Sequence, residues 1–128
     1  MSIRIKRSLS YLDNLKKIPL LTNAVDCLFS SESFKAELLK QIAAAKKRIY
    51  LAALYLEADD AGKDILQALY TAKKNTPSLD IVVCIDFHRA QRGLIGKKKS
   101  LHTNATWYQT MQQTHGAGIN IVGLPVKR

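Results

Sequence analysis

Hydrophobic positions change their spacing several times along the chain, and each change marks a predicted element. Val25-Asp26-Cys27-Leu28-Phe29 predicts a short strand, and Ser30-Ser31 supplies a helix N-cap with Glu32 in the first turn. Phe34, Leu38, Leu39 and Ile42 then recur at helical spacing, opposite Lys35, Glu37, Lys40 and Gln41. This helix is expected to end near Lys47, because Lys46 and Lys47 suit its negative terminus. Ile49 to Leu56 is apolar on both parities, which predicts a strand covered on both faces.

Ala58 to Gly62 reads as a turn with an acidic cap, and Ile65, Leu66, Leu69 and Ala72 predict a helix running to Lys74 and closed by Pro77. Leu79 to Phe87, rich in β-branched residues, is a second core strand. A long basic loop follows, from His88 to His102. Thr103-Asn104 caps a third helix that carries Ala105, Tyr108 and Met111 on one side and ends at Gly116 and Gly118, and Ile119 to Leu124 is a last strand.

Strands alternating with helices predict an α/β fold: a mostly parallel sheet with helices on both faces. Residues 1–24 mix Lys, Ser and Leu without a sustained period and read as a basic N-terminal arm; residues 25–128 read as one incomplete α/β domain. Only Val126-Lys127-Arg128 follow Pro125, so the sheet is expected to lack a closing helix.

Charge narrows the choice of partners. The 128 residues include 20 Lys or Arg against 10 Asp or Glu, a formal net charge of +10, which favours nucleic acid, an acidic membrane surface or phosphorylated substrates. The longest uncharged apolar run, Ile49 to Leu56, is far shorter than the roughly 20 residues of a membrane-spanning helix, so any membrane contact is expected to be peripheral. The basic start is followed by Asp13 and Lys16-Lys17, with no room for a signal-peptide apolar region; a cytoplasmic protein is expected. Cys27 and Cys84 lie in apolar stretches and read as buried, reduced thiols. No metal-ligand spacing and no cofactor motif is present, so neither a metal nor a cofactor is expected.

The densest chemical feature is the run His88-Arg89-Ala90-Gln91-Arg92-Gly93-Leu94-Ile95-Gly96-Lys97-Lys98-Lys99. Ligands of open parallel sheets bind beyond the carboxyl ends of strands, which is where His88, Arg89 and Arg92 fall. Arginine grips phosphate oxygens with paired hydrogen bonds, so phosphate or diphosphate binding is the chemistry suggested. The plain alternative is a solvated basic loop. Glu57, Asp59 and Asp60 follow the neighbouring strand and could orient a histidine or bind a substrate hydroxyl; the alternative for either aspartate is a helix cap. Trp107 and Tyr108 could stack on a base, although aromatics at helical spacing are more often core.

Three segments together resemble a known family: Ala53-Leu54-Tyr55-Leu56-Glu57-Ala58-Asp59-Asp60-Ala61-Gly62-Lys63, Asp86-Phe87-His88-Arg89-Ala90-Gln91-Arg92-Gly93 and Thr103-Asn104-Ala105-Thr106-Trp107-Tyr108. They are similar to the amino-terminal part of the bacterial phosphatidylserine synthases of the phospholipase D superfamily, from about Pro19 to Pro125. The resemblance implies a partial phospholipase D-like half-domain. It also implies transfer of a phosphatidyl group from CDP-diacylglycerol to L-serine, with release of CMP, on the inner membrane face.

Family members carry two H-x-K-x-x-x-x-D motifs. One histidine attacks phosphorus, the other assists serine, and the lysines stabilise phosphoryl charge. None of His88, His102 or His115 has Lys two residues on and Asp five beyond it, so no catalytic residue carries over, and the isolated chain is expected to be inactive. Ala61 before Gly62, and Phe87 in place of the usual Trp, are milder departures. The resemblance implies substrate-side roles for His88, Arg89 and Arg92 at the diphosphate, with Glu57, Asp59 and Asp60 in support. Lys97, Lys98 and Lys99 are candidates for anionic-lipid contact. The rival reading is a small basic, non-catalytic module that binds anionic lipid, nucleic acid or ribosomes through charge alone.

Overall fold

The computed structural model describes residues 3–93, 102–116 and 118–125. Its elements in chain order are α1 (Ile3–Asp13), a 3-10 turn (Thr22–Ala24), α2 (Ser31–Ala44), β1 (Arg48–Ala52), α3 (Asp60–Asn75), β2 (Asp80–Asp86), α4 (Phe87–Ala90), α5 (Asn104–His115) and β3 (Asn120–Leu124). The strands form one parallel sheet in the order β1-β2-β3. The α/β class and the parallel sheet are as the alternating pattern predicts.

Each long core helix starts at a side-chain cap. Ser30 and Ser33 form a reciprocal capping box on α2, Asp59 caps α3, and Thr103 and Thr106 form a second box on α5. The helix expected to reach Lys47 stops at Ala44, where Ala45 turns extended and its N–H donates to the Ile42 carbonyl. Lys47 already belongs to the sheet: its carbonyl accepts from Asp80 N at 3.0 Å.

Register explains how the core is built. Ile49 pairs with Ile81, and Leu51 with Val83 and in turn Ile121, so these residues share a face with Ile85. Ile42 of α2, Leu66, Leu69 and Tyr70 of α3 and Tyr108 of α5 pack in one cluster with this row. Val83, Leu66 and Leu69 are wholly buried. The opposite row, Tyr50, Val82, Cys84 and Val122, is half-buried to exposed.

Among the described residues, the helices of the core therefore stand on one face, where helices on both were expected. The strand order supplies the reason. Two successive right-handed crossovers that step in the same direction across a sheet lay their helices on the same side. The apolar run Ile49 to Leu56 accordingly alternates in burial at β1 rather than being covered throughout.

Four further expectations change. The arm is not featureless: residues 3–13 form α1, where Ile5, Leu9 and Leu12 make a short stripe that the intervening serines mask in the sequence. Val25 to Phe29 forms no strand, because the three-stranded sheet offers it no pairing partner, and Phe29 is 94% exposed. Phe34 lies in the first turn of α2, outside the core, and is exposed. The cysteines are free but not buried; Cys27 is exposed on the unpaired segment and Cys84 half-buried on the less covered face of β2.

Candidate functional site at the carboxyl edge of the sheet

β1 and β2 run parallel, so the segments that follow them leave the sheet at the same edge. Hydrogen bonds continue past the strands: Ala53 N donates to the Cys84 carbonyl at 3.0 Å, and Asp86 N to the Leu54 carbonyl at 3.1 Å. Glu57 lies three residues beyond Leu54, and His88 and Arg89 lie two and three beyond Asp86. The topology thus brings the acidic and basic candidates to one sheet edge. An apolar hollow of about 310 Å³ opens beside them, lined by Ala52, Ala53, Leu54, Cys84, Asp86 and Leu124 among others.

The loop after β1 is fixed from two sides. The Tyr108 hydroxyl donates to the Leu56 carbonyl and accepts from the Leu56 N–H at 2.9 Å, joining residues 52 apart in sequence. This phenol is buried, and burial pushes its pKa up to about 12, so it stays protonated at any ordinary pH. On the other side Gly62 lies against the backbone of Glu57, where a Cβ would come within 1.9 Å of the Glu57 carbonyl oxygen. Only glycine admits that approach. Glu57 itself is half-buried.

The loop after β2 begins with a helical turn rather than as loop from His88 onward. Asp86 caps it, its Oδ1 accepting from Arg89 N at 2.9 Å. That hydrogen bond, with help from the His88 N–H and the charges of His88 and Arg89, holds the Asp86 carboxyl below the usual carboxylate range. Phe87 rests on Gly123 of β3, where a Cβ would meet its ring carbon at 3.1 Å. The Arg92 carbonyl accepts from Asn104 N at 3.1 Å, tying the end of this segment to the start of α5.

The predicted residues divide accordingly. His88 and Arg92 are exposed, Arg89 is half-buried, and the His88 ring meets Phe87 edge-on at 5.6 Å between centroids. Asp59 is the N-cap of α3, accepting from Gly62 N at 2.8 Å, so its plain reading holds; Asp60 is exposed in the first turn. Lys97, Lys98 and Lys99 lie outside the described residues. Trp107 and Tyr108 pack in or against the core instead of presenting a stacking face. His115 is exposed and stacks on the Tyr70 ring at 4.7 Å.

Sequence reasoning passed over Asp86 and Gly62 as positioning groups. An aspartate that ends a strand and stands three residues before a backbone N–H needing a partner is a recognisable cap signal. The close approach at Gly62 had no signal short of the fold itself.

No family model matches the chain. It is 47% identical over 117 residues to the CDP-diacylglycerol–serine O-phosphatidyltransferase PssA of Escherichia coli, covering 91% of this chain and 26% of that protein. It is 45% identical over 112 residues to the CDP-diacylglycerol–serine O-phosphatidyltransferase of Haemophilus influenzae, covering 88% of this chain and 24% of that protein. The crystal structure of the phosphatidylserine synthase of Haemophilus influenzae superimposes with a TM-score of 0.82 at 40% identity, over 94% of this chain and 27% of the other. The chain spans about a quarter of the length of the relatives it matches, and over that quarter it is a homologue of the bacterial phosphatidylserine synthases.

Proposed function

We propose that this chain supplies the substrate-side quarter of a CDP-diacylglycerol–serine O-phosphatidyltransferase. The observation that carries the reading is positional: the basic run after β2 and the acidic residue Glu57 after β1 leave adjacent parallel strands at the edge where α/β sheets bind ligands. Arg89 and Arg92 grip the diphosphate of CDP-diacylglycerol, each guanidinium offering two parallel N–H donors to phosphoryl oxygens. His88 adds a ring N–H donor, and Asp86 sets the direction of the turn that carries all three. Glu57, on the loop pinned by Tyr108 and Gly62, lies on the serine side, where a carboxylate accepts from the amino group of the incoming substrate. Asp59 and Asp60 act through the helix they start, as positioning residues.

The covalent chemistry belongs to the two H-x-K-x-x-x-x-D motifs of the family, which are not among these 128 residues. In that chemistry a histidine nitrogen bonds to phosphorus as the bond to CMP breaks. The serine hydroxyl then displaces the histidine and gives up its proton to the second one. This chain lowers the barrier by holding the diphosphate in line for that attack.

Peripheral association with the inner membrane surface fits α1. Ile5, Leu9 and Leu12 form one stripe, with Arg4 and Arg7 on the far side, and these apolar residues are exposed. Among the described residues no helix is long and apolar enough to cross a membrane, and a basic helix of this kind lies flat on anionic lipid at about 1 kcal/mol per basic residue near the surface.

The test uses vesicles of neutral lipid with and without CDP-diacylglycerol, titrated with the chain at several salt concentrations. Binding that requires CDP-diacylglycerol and drops on R89A or R92A is the expected result. Equal binding to neutral vesicles doped with any anionic lipid, and to DNA, with the same steep salt dependence, overturns the substrate role and leaves the charge-driven module.

A further inference from the structure

We infer that the cleft between the last turns of α3 and α5, at the amino edge of the sheet, is a second ligand site and takes a nucleoside monophosphate. Crossover helices of a parallel sheet run back against the strands, so both helices end at the edge opposite Glu57 and His88. The cleft holds about 560 Å³, within the roughly 300–1,000 Å³ of small-molecule pockets. Gln67, Tyr70, Thr71 and Lys74 line it from α3 at the spacing of one helix face, and His115 lines it from α5.

Three features specify the ligand. The first is a flat surface: the His115 ring stacks on the Tyr70 ring at 4.7 Å between centroids, 22° from parallel, and His115 is exposed. Such a pair extends onto a third ring, and every nucleobase has a face to offer it. The second is charge. Among the described residues no carboxylate lines the cleft, whereas Lys73 and Lys74 both do. The fold itself uses Lys73, whose Nζ donates to the Pro77 and Leu79 carbonyls at 2.8 and 2.7 Å and whose stem lies against Gly118. Lys74 is exposed and has no ion pair among the described residues, so its ammonium is the group that meets an anion.

The third is an unmet donor. Tyr70 is only 4% exposed, and its hydroxyl is buried with no hydrogen-bond partner among the described residues. A buried hydroxyl left unpaired is unfavourable, and a phosphate oxygen held by Lys74, one turn along the same helix face, pairs it. A small shift of His115, the last residue of α5 and joined to Gly116 at φ +83°, lets the phosphate reach that hydroxyl. From Gln67 to Asn75 the α3 wall is about 12 Å long, room for a base, a ribose and one phosphate laid end to end. The inference is independent of the substrate role given to the carboxyl edge.

The test is calorimetric titration with AMP, and with adenosine and inorganic phosphate separately, of the chain and of a Haemophilus influenzae synthase in which these residues replace the matching quarter. Both proteins are expected to bind AMP at least tenfold more tightly than adenosine or phosphate. H115A and K74A each weaken AMP binding about tenfold, and Y70F about fivefold. Y70F nevertheless leaves the melting temperature of the unliganded chain unchanged or higher, because the hydroxyl it removes is unpaired there. R89A leaves AMP binding unchanged, which keeps this site apart from the one at the carboxyl edge. Absence of AMP binding by the folded chain overturns the inference, and equal affinity for AMP and phosphate reduces the cleft to a basic surface and overturns it too. So does AMP binding indifferent to both H115A and K74A, or a Y70F chain that melts below the wild type. AMP binding by the chain that is lost in the longer protein contradicts it as well.

Discussion

The two faces of the sheet are built from the same strands, yet they behave oppositely. Ile81, Val83 and Ile85 are buried beneath three helices, while Val82 and Cys84, their immediate chain neighbours, are only half-covered. In β2 the buried row is Ile81, Val83 and Ile85, all β-branched, whereas the open row holds Val82 and Cys84 between Asp80 and Asp86. Strand propensity decides that the segment is a strand. Which row is buried follows from the charges, since Asp80 and Asp86 mark the open row, and the direction in which the crossovers step puts the helices together on the other.

The sharpest way to break this contrast is to damage the covered side. L66A, at a wholly buried position, is expected to cost about 3–4 kcal/mol, read by urea unfolding. G62A comes next, at about 2–3 kcal/mol, because its Cβ has to displace the Glu57 backbone. If the candidate site is built as described, this variant also loosens the loop from Ala53 to Glu57 and speeds its hydrogen exchange.

Y108F leaves the ring in place and removes both hydrogen bonds to Leu56, for an expected loss of about 1–2 kcal/mol. It has a pH signature as well. The phenol ionises near 10 in the unfolded chain and near 12 in the folded one, so its contribution is complete below pH 10 and is lost as pH rises towards 12. The wild-type melting temperature is therefore expected to fall over that interval, and to fall less in Y108F.

D86A is a local change: the Arg89 amide is expected to exchange about tenfold faster with no global loss, whereas D86N keeps the cap. In the wild type that amide stays protected above the ordinary carboxylate range and loses protection as acid protonates Asp86, whose pKa is lowered. The smallest effect belongs to the open face, where V82T and V122T are expected to change the stability of the free chain by about 0.5 kcal/mol or less. A loss as large as that of L66A would mean that the face is already covered.

Much of the fold could be read from local signals. The caps at Ser30, Asp59 and Thr103 start helices where their side chains can take up free N–H groups, and the run from Leu79 to Asp86, bounded by Pro77, lies where its β-branched residues place it. Two segments escaped. Val25 to Phe29 has the composition of a strand, but pairing needs a neighbour, and composition does not supply one. α1 was hidden because a stripe of three apolar residues among serines and arginines is too brief to stand out.

At the site, the residues that could touch a substrate were visible through charge and position, since basic side chains after a strand end carry their own signal. Those that hold them were not. Tyr108 looks like any core aromatic until its hydroxyl is found 52 residues away on Leu56, and the role of Gly62 exists only once Glu57 lies against it. Long-range supports are consequences of the tertiary structure, so local sequence carries no trace of them.

The most direct test of the substrate-side reading is release of CMP from CDP-diacylglycerol, dependent on L-serine, by a Haemophilus influenzae synthase in which these residues replace the matching quarter. The account predicts release by this protein, and a raised KM for CDP-diacylglycerol in its R89A and R92A variants with kcat largely kept. Release of CMP with unchanged KM in both arginine variants would contradict it.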